Sequence, residues 1–260
     1  MRPIDSVDVT GASVQIKTHV PPYNPNAYTS YWVGLDLPND AFIQVGYVSW
    51  PSNDGYPVRF WEYFPPRGAD LGTGFLGDSE GEAVGPNGTW YTYSIKSNGD
   101  TWFAYVNGTL EGSYDLGASS SGGNTPYAVA EVEGAYVTNI PLGPVEFRNL
   151  EYRDVNGIWH NVSSAVAWMG YGVGSGMLPS DARFPYGLKV LGVNDWIAGT
   201  GLSTAYNNTS IWSASSAFSP APINSVLAST MSVHATLTGI ERLDSRNRTF
   251  KSVSRLCCSL

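Results

Sequence analysis

Trp32-Val33-Gly34-Leu35-Asp36, followed after a short break by Phe42-Ile43-Gln44-Val45-Gly46, decides how this chain folds. Side chains alternate across a strand, so Trp32, Gly34 and Asp36 share one face of the first run. Phe42, Gln44 and Gly46 share a face of the second, with Ile43 and Val45 opposite. The break between them, Pro38-Asn39-Asp40, is turn chemistry. An indole, a carboxylate and an amide therefore sit on strands otherwise built for burial. Burying a glutamine among apolar neighbours costs roughly 1–3 kcal/mol unless its amide finds partners. Gln44 is thus either a structural hydrogen-bond anchor or a functional amide.

The same alternation recurs outward from this pair. Runs near 8–18, 28–36, 41–50, 57–64, 89–97, 101–106, 126–138 and 144–153 read as strands. Among the separating turns, Asn98-Gly99 accepts the positive φ angles of a tight hairpin between Trp90–Lys96 and Trp102–Val106. Gly187–Ile197 and Thr209–Ala214 read as further strands wrapping the same body, and the glycine-rich Met169–Gly176 reads as a turn. With 29 Gly, 17 Pro, 9 Trp, 16 Tyr, 9 Phe and only 14% charged residues, the 260-residue composition is that of an all-β protein. The expected architecture is a two-sheet antiparallel sandwich or jelly roll, concanavalin- or lectin-like, over 1–220. Residues 221–260 are expected to form a basic tail, an appendage or a stretch foreign to the domain.

Charge narrows the partners. Residues 1–220 hold nine basic against 20 acidic groups, whereas 221–260 hold five against two. No basic surface exists to neutralise phosphates, which argues against nucleic acid. No run of 18 apolar residues suggests a membrane span. Sequons at Asn87, Asn107, Asn161, Asn207, Asn208 and Asn247 favour a secreted, extracellular glycoprotein, expected to be a monomer.

Several chemistries are disfavoured by what the chain carries. His19, His160 and His234 are scattered without ligand spacing, and Cys257 and Cys258 are adjacent near the C-terminus. Neither a metal centre, nor a cofactor, nor a nucleophilic triad is expected. Carboxylates and amides on strands remain: Glu62 within Phe60-Trp61-Glu62-Tyr63-Phe64, and Glu131 and Glu133 sharing a face of Tyr127–Glu133. Acids embedded in apolar strands suit acid–base work.

At this point the sequence resembles the glutamic peptidases, or eqolisins. Their order of motifs is a Trp-Val-Gly-Ile-Asp strand, a Leu-Gln-Thr-Gly strand, an aromatic Trp-Tyr-Glu-Trp-Tyr-Pro strand and a later Ala-Glu strand. Here the counterparts are Trp32–Asp36, Ile43-Gln44-Val45-Gly46, Phe60-Trp61-Glu62-Tyr63-Phe64-Pro65 and Ala130-Glu131, within roughly 28–155. The resemblance implies a sandwich of two curved sheets, a catalytic pair Gln44 and Glu131, and a cleft lined by Trp32 and Asp36 that takes a polypeptide substrate. Glu62 and Glu133 are further expected at the substrate site. The family's Ala-Glu-Trp-Ile-x-Glu reads Ala130-Glu131-Val132-Glu133-Gly134 here, so Glu133 competes with Glu131 for the acid role. Two other readings stand beside the acid endopeptidase. One is a jelly-roll glycoside hydrolase using two of Glu62, Glu131 and Glu133; the other is a non-catalytic, lectin-like binding or surface protein.

Overall fold

The computed structural model describes residues 9–25, 27–37, 41–49, 55–64, 83–115, 125–134, 140–171, 186–202, 210–213 and 253–259. These contain strands only: β1 Gly11–Lys17, β2 Ala27–Asp36, β3 Phe42–Ser49, β4 Pro57–Phe64, β5 Trp90–Asn98, β6 Thr101–Val106, β7 Thr109–Asp115 and β8 Thr125–Gly134. They continue as β9 Val145–Arg153, β10 Trp159–Asn161, β11 Ser164–Tyr171, β12 Tyr186–Gly192, β13 Asp195–Thr200, β14 Ser210–Ser213 and β15 Val253–Ser259. The protein is an all-β sandwich of two antiparallel sheets. One runs β12-β13-β9-β1-β5-β6-β7, with β10 added against β9, and the other runs β14-β11-β15-β8-β2-β3-β4. No helix among the described residues is long and apolar enough to cross a membrane.

The alternation that predicted the strands also explains the packing. Ala12, Val14 and Ile16 of β1 and Tyr93 and Ile95 of β5 meet Tyr31, Val33, Leu35, Ile43, Val45 and Tyr47 of β2 and β3 in one core. Tyrosines span it because their polar tips reach backbone. Tyr47 Oη accepts from His19 N at 3.0 Å and donates to Lys17 O at 3.2 Å, and Tyr31 Oη accepts from Gly143 N at 2.9 Å. Burial pushes the phenols of Tyr31 and Tyr47 well above their ordinary value, so they stay neutral and hydrogen-bonded. Where β4 meets β7, Tyr63 stacks on Tyr114 at 3.7 Å and Arg59 pairs with Glu111 at 3.1 Å. The Trp61 indole lies on Gly112, where an added Cβ would come within 2.0 Å of the ring. Only glycine fits there.

Three hairpins sharpen the sequence reading. The turn after β5 is Gly99-Asp100, one residue later than expected, with Asn98 paired to Thr101 and Gly99 at φ +61°. A glycine at the first central position is the type II′ pattern. The following turn, Asn107-Gly108, has φ +48° and +81° and creates β7, which was not expected. The expected strand 187–197 is instead the hairpin β12–β13, turning near Asn194 at φ +57°. Asn194 suits this position because its side chain bonds both ways to Leu150, accepting from N and donating to O, each at 2.8 Å. Met169, expected in a turn, lies in β11, and 172–185 falls outside the described residues. Within 221–260, Val253–Ser259 forms β15, which pairs with β8 on one side and β11 on the other.

The titratable groups of the first sheet predict how this sandwich tolerates acid. Asp154 accepts from His160 Nε2, Asn156 N and Ile158 N, each at 2.9 Å, and the bond from His160 chiefly holds its carboxyl below the usual range. A depressed carboxyl stabilises the fold above its unfolded pKa and loses that contribution as pH falls through the folded one. Burial lowers His19, which acts in the same direction from below about pH 6.5. Burial raises Glu151 and Asp195, the latter also through Glu146. Raised carboxyls stabilise most at low pH and lose that contribution as pH rises through their folded values. Between pH 7 and pH 4 His19 therefore opposes Glu151 and Asp195, while Asp154 loses its contribution only below about pH 3.8. The melting temperature measured by circular dichroism is therefore expected to change by less than about 5 °C between pH 7 and pH 4. Unfolding by pH 4 would contradict this balance.

Candidate active site

The second sheet has two differently dressed faces. One packs into the inter-sheet core. The other carries Ser30, Trp32, Gly34 and Asp36 from β2, Phe42, Gln44 and Gly46 from β3, Phe60 and Glu62 from β4, and Tyr127, Val129 and Glu131 from β8. Register puts them side by side: Gly34 lies between Gln44 and Tyr127, Trp32 between Gly46 and Val129, and Gln44 opposite Glu62. Tyr28, Trp32, Val48, Val58, Phe60 and Val129 form a separate small apolar cluster on this face. Although it turns away from the main core, Gln44 is 5% exposed, Glu62 6% and Glu131 4%. Three polar side chains are thus withdrawn from water on a non-core face, which demands partners.

Each has one. Glu131 Oε2 accepts from Trp32 Nε1 at 2.9 Å and from Ser30 Oγ at 3.0 Å. Gln44 Nε2 donates to Glu62 Oε2 at 2.5 Å. Asp36 Oδ2 accepts from Tyr127 Oη. The local sequence explains how Trp32 reaches Glu131. Gly46 opposite it leaves no room for any side chain, since a Cβ would lie 2.0 Å from Tyr31 O and 2.6 Å from Trp32 Cβ. At Gly34 a Cβ would meet the rings of Phe42 and Trp32 at 2.5 and 2.8 Å. The indole therefore lies over the bare backbone of Gly34, with Trp32 Cβ against Gly46, and edge-on to Phe42 at 5.4 Å.

Of the residues expected at the site, Trp32, Asp36, Gln44, Glu62 and Glu131 share this face. The pairings differ from the simplest expectation. Gln44 is bonded to Glu62 rather than to Glu131, and the two proposed partners flank β2, displaced by four residues along it, with Trp32 between them. Glu133 lies on β8 opposite Tyr28 and Val253, and its side chain is outside the described residues. Two participants were not foreseen. Ser30 and Tyr127 have the same parity as Trp32 and Glu131, and that parity was the signal available. His160 is engaged by Asp154 and stacks on Tyr152 at 5.0 Å. Among the described residues no group of three or more His, Cys, Asp or Glu side chains could hold a metal ion.

The spacing of the acids separates two chemistries. Glu62 and Glu131 lie on strands three spacings apart and four residues out of register, roughly 20 Å between backbones. Retaining glycosidases hold their carboxyls ≈ 5–5.5 Å apart and inverting ones ≈ 6.5–9.5 Å. This pair is not disposed for sugar hydrolysis.

No protein-family model and no curated protein matches the chain. Solved structures do: scytalido-glutamic peptidase with a transition state analog inhibitor is 16% identical, with TM-score 0.44, over 75% of this chain and 93% of that one. The same peptidase with a peptide-based transition state analog is 13% identical at the same TM-score and coverage. SCP-B, a member of the eqolisin family of peptidases in complex with the tripeptide Ala-Ile-His, is 12% identical, with TM-score 0.44, over 75% and 94%.

Proposed function

We propose that this protein is an endopeptidase working in acid, with Glu131 as general base and Gln44 as donor to the oxyanion. One observation carries the reading: a buried carboxylate and a buried amide stand on opposite sides of Trp32 on a sheet face that the core does not use. An extended polypeptide laid over Trp32 and Gly34 would have its scissile carbonyl between them. Glu131 takes a proton from water as the water oxygen bonds to the carbonyl carbon, and the carbonyl electron pair moves onto its oxygen. An N–H of Gln44 donates to that oxygen; one such donor is worth about 2.7–4 kcal/mol in comparable sites. Collapse breaks the C–N bond, and Glu131 returns its proton to the leaving nitrogen. Trp32 and Ser30 hold Glu131 in place, while Asp36, braced by Tyr127, would bind substrate at the far end of β2.

A secreted monomer that meets polypeptides in an acidic medium fits this chemistry. The test is cleavage of an unfolded protein substrate by the whole chain between pH 2 and 7. Turnover is expected to peak in acid, at about pH 3–4, and to fall toward neutrality. An optimum above pH 7, or no cleavage anywhere in the range, would leave a binding module as the better description.

A further inference from the structure

Resting on that reading, we infer that Glu62 is a positioning residue that decides which end of the Gln44 amide meets the oxyanion, and so sets the neutral limb of activity. A planar amide presents an acceptor at one end and two donors at the other. In the structure the donor end is taken by Glu62, and Gln44 Oε1 is buried without a hydrogen-bond partner. An ionised Glu62 can only accept, so it draws the NH2 group toward β4 and leaves an oxygen where the oxyanion's donor is needed. That orientation repels a developing oxyanion.

Protonation reverses the arrangement. A neutral Glu62 carries an O–H, which can donate to Gln44 Oε1 once the amide turns over about its last torsion. The orphaned oxygen gains a partner and the NH2 group is released to the reacting side. The one covalent change is the O–H bond that Glu62 forms with a proton from solvent. Both states keep Glu62 and Gln44 hydrogen-bonded, but only the protonated one satisfies Oε1.

Other charges sharing this face among the described residues leave the assignment with Glu62. Asp36 and Tyr127 are bonded to each other, and Glu131 to Ser30 and Trp32. Tyr28 is the other titratable side chain on β2 here. Arg59 of β4 lies on the opposite face, where it pairs with Glu111.

Glu62→Gln separates this from a merely structural role. Its neutral side-chain NH2 can donate to Gln44 Oε1 at every pH, as protonated Glu62 does. The variant is expected to cleave at pH 6–7 at least tenfold faster than wild type, moving the descending limb upward, whereas Glu62→Ala should be slowed at all pH values. The second readout needs no turnover. In a 15N–1H spectrum of the full chain, the Gln44 side-chain NH2 signals, assigned by their loss in Gln44→Ala, should titrate between pH 3 and 7 in wild type and stay still in Glu62→Gln. If those signals do not titrate in wild type, or the two proteins share one pH profile, the assignment is overturned, including the case in which Gln44 donates its second N–H without turning. If the signals behave as stated but nothing is cleaved, the peptidase reading falls and the Glu62 switch stands.

Discussion

Glu131→Gln is expected to lower kcat by at least about 100-fold while leaving the fold intact, because a positioned general base contributes roughly 10²–10⁴ in rate. The substitution is nearly isosteric. Trp32 Nε1 and Ser30 Oγ both donate to Oε2, so a glutamine with its carbonyl oxygen at that position keeps both bonds and puts its NH2 group where Oε1 lay. Both buried donors keep a partner, so the stability cost should stay near 1 kcal/mol. Only the capacity to take a proton from water is lost. Glu131→Ala is the contrasting variant. It strands the indole N–H and the serine hydroxyl in a site that is 4% exposed at Glu131, and should cost about 1–3 kcal/mol in addition to activity. Single-turnover cleavage at the optimum, with melting curves alongside, measures both. Wild-type kcat in Glu131→Gln would move the base elsewhere, with Glu133 the first residue to substitute next.

How much of this was legible in the sequence follows from what alternation can encode. Parity alone assigned Trp32, Asp36 and Gln44 to their faces, and apolar neighbours announced that those faces would be buried. Partnering was not legible. Whether Gln44 faces Glu62 or Glu131 depends on which strands are neighbours and in what register. The sheet order β8-β2-β3-β4 puts Glu62 beside Gln44 and Glu131 across β2 from it. The bland reading of Gln44 as an anchor and the functional one are both supported by that bond to Glu62.

Ser30 was passed over because a serine in a strand carries little signal until its cross-strand neighbour is known. Asn107-Gly108 is as good a hairpin signal as Asn98-Gly99, but Asn107 also opens a sequon, and that second meaning conceals β7. The φ of +48° at Asn107 shows the backbone reason for an asparagine there. Residues 187–197 looked like one strand because Gly192-Val193-Asn194 interrupts the apolar pattern only briefly, and the turn is defined by long-range bonds from Asn194 to Leu150.

Gly46→Ala should be the most damaging conservative change in the sheet. Glycine in a strand interior ordinarily weakens it, so adding a methyl would be expected to help. Here the new Cβ would sit 2.0 Å from Tyr31 O, 2.6 Å from Trp32 Cβ and 2.7 Å from Trp32 Cα. Two of those atoms are backbone in β2, which is hydrogen-bonded on both sides by β3 and β8, so neither can yield cheaply. Trp32 is 2% exposed and cannot swing outward without breaking its bond to Glu131. Overpacking usually costs 1–3 kcal/mol, and more where backbone must move, so a loss of about 3 kcal/mol or greater is expected. For a chain of this size that is a fall of roughly 6–12 °C in Tm. Activity should fall with it even below the melting range, since displacing Trp32 releases the carboxylate it holds. Gly192→Ala is the matched control: its Cβ would meet only Asp195 Cβ, at 3.9 Å, and Tm should move by less than about 2 °C. Differential scanning calorimetry of the two variants decides the matter. Equal melting temperatures would mean that Trp32 does not lie against the bare backbone of β3, and the seat of Glu131 would have to be sought in another arrangement.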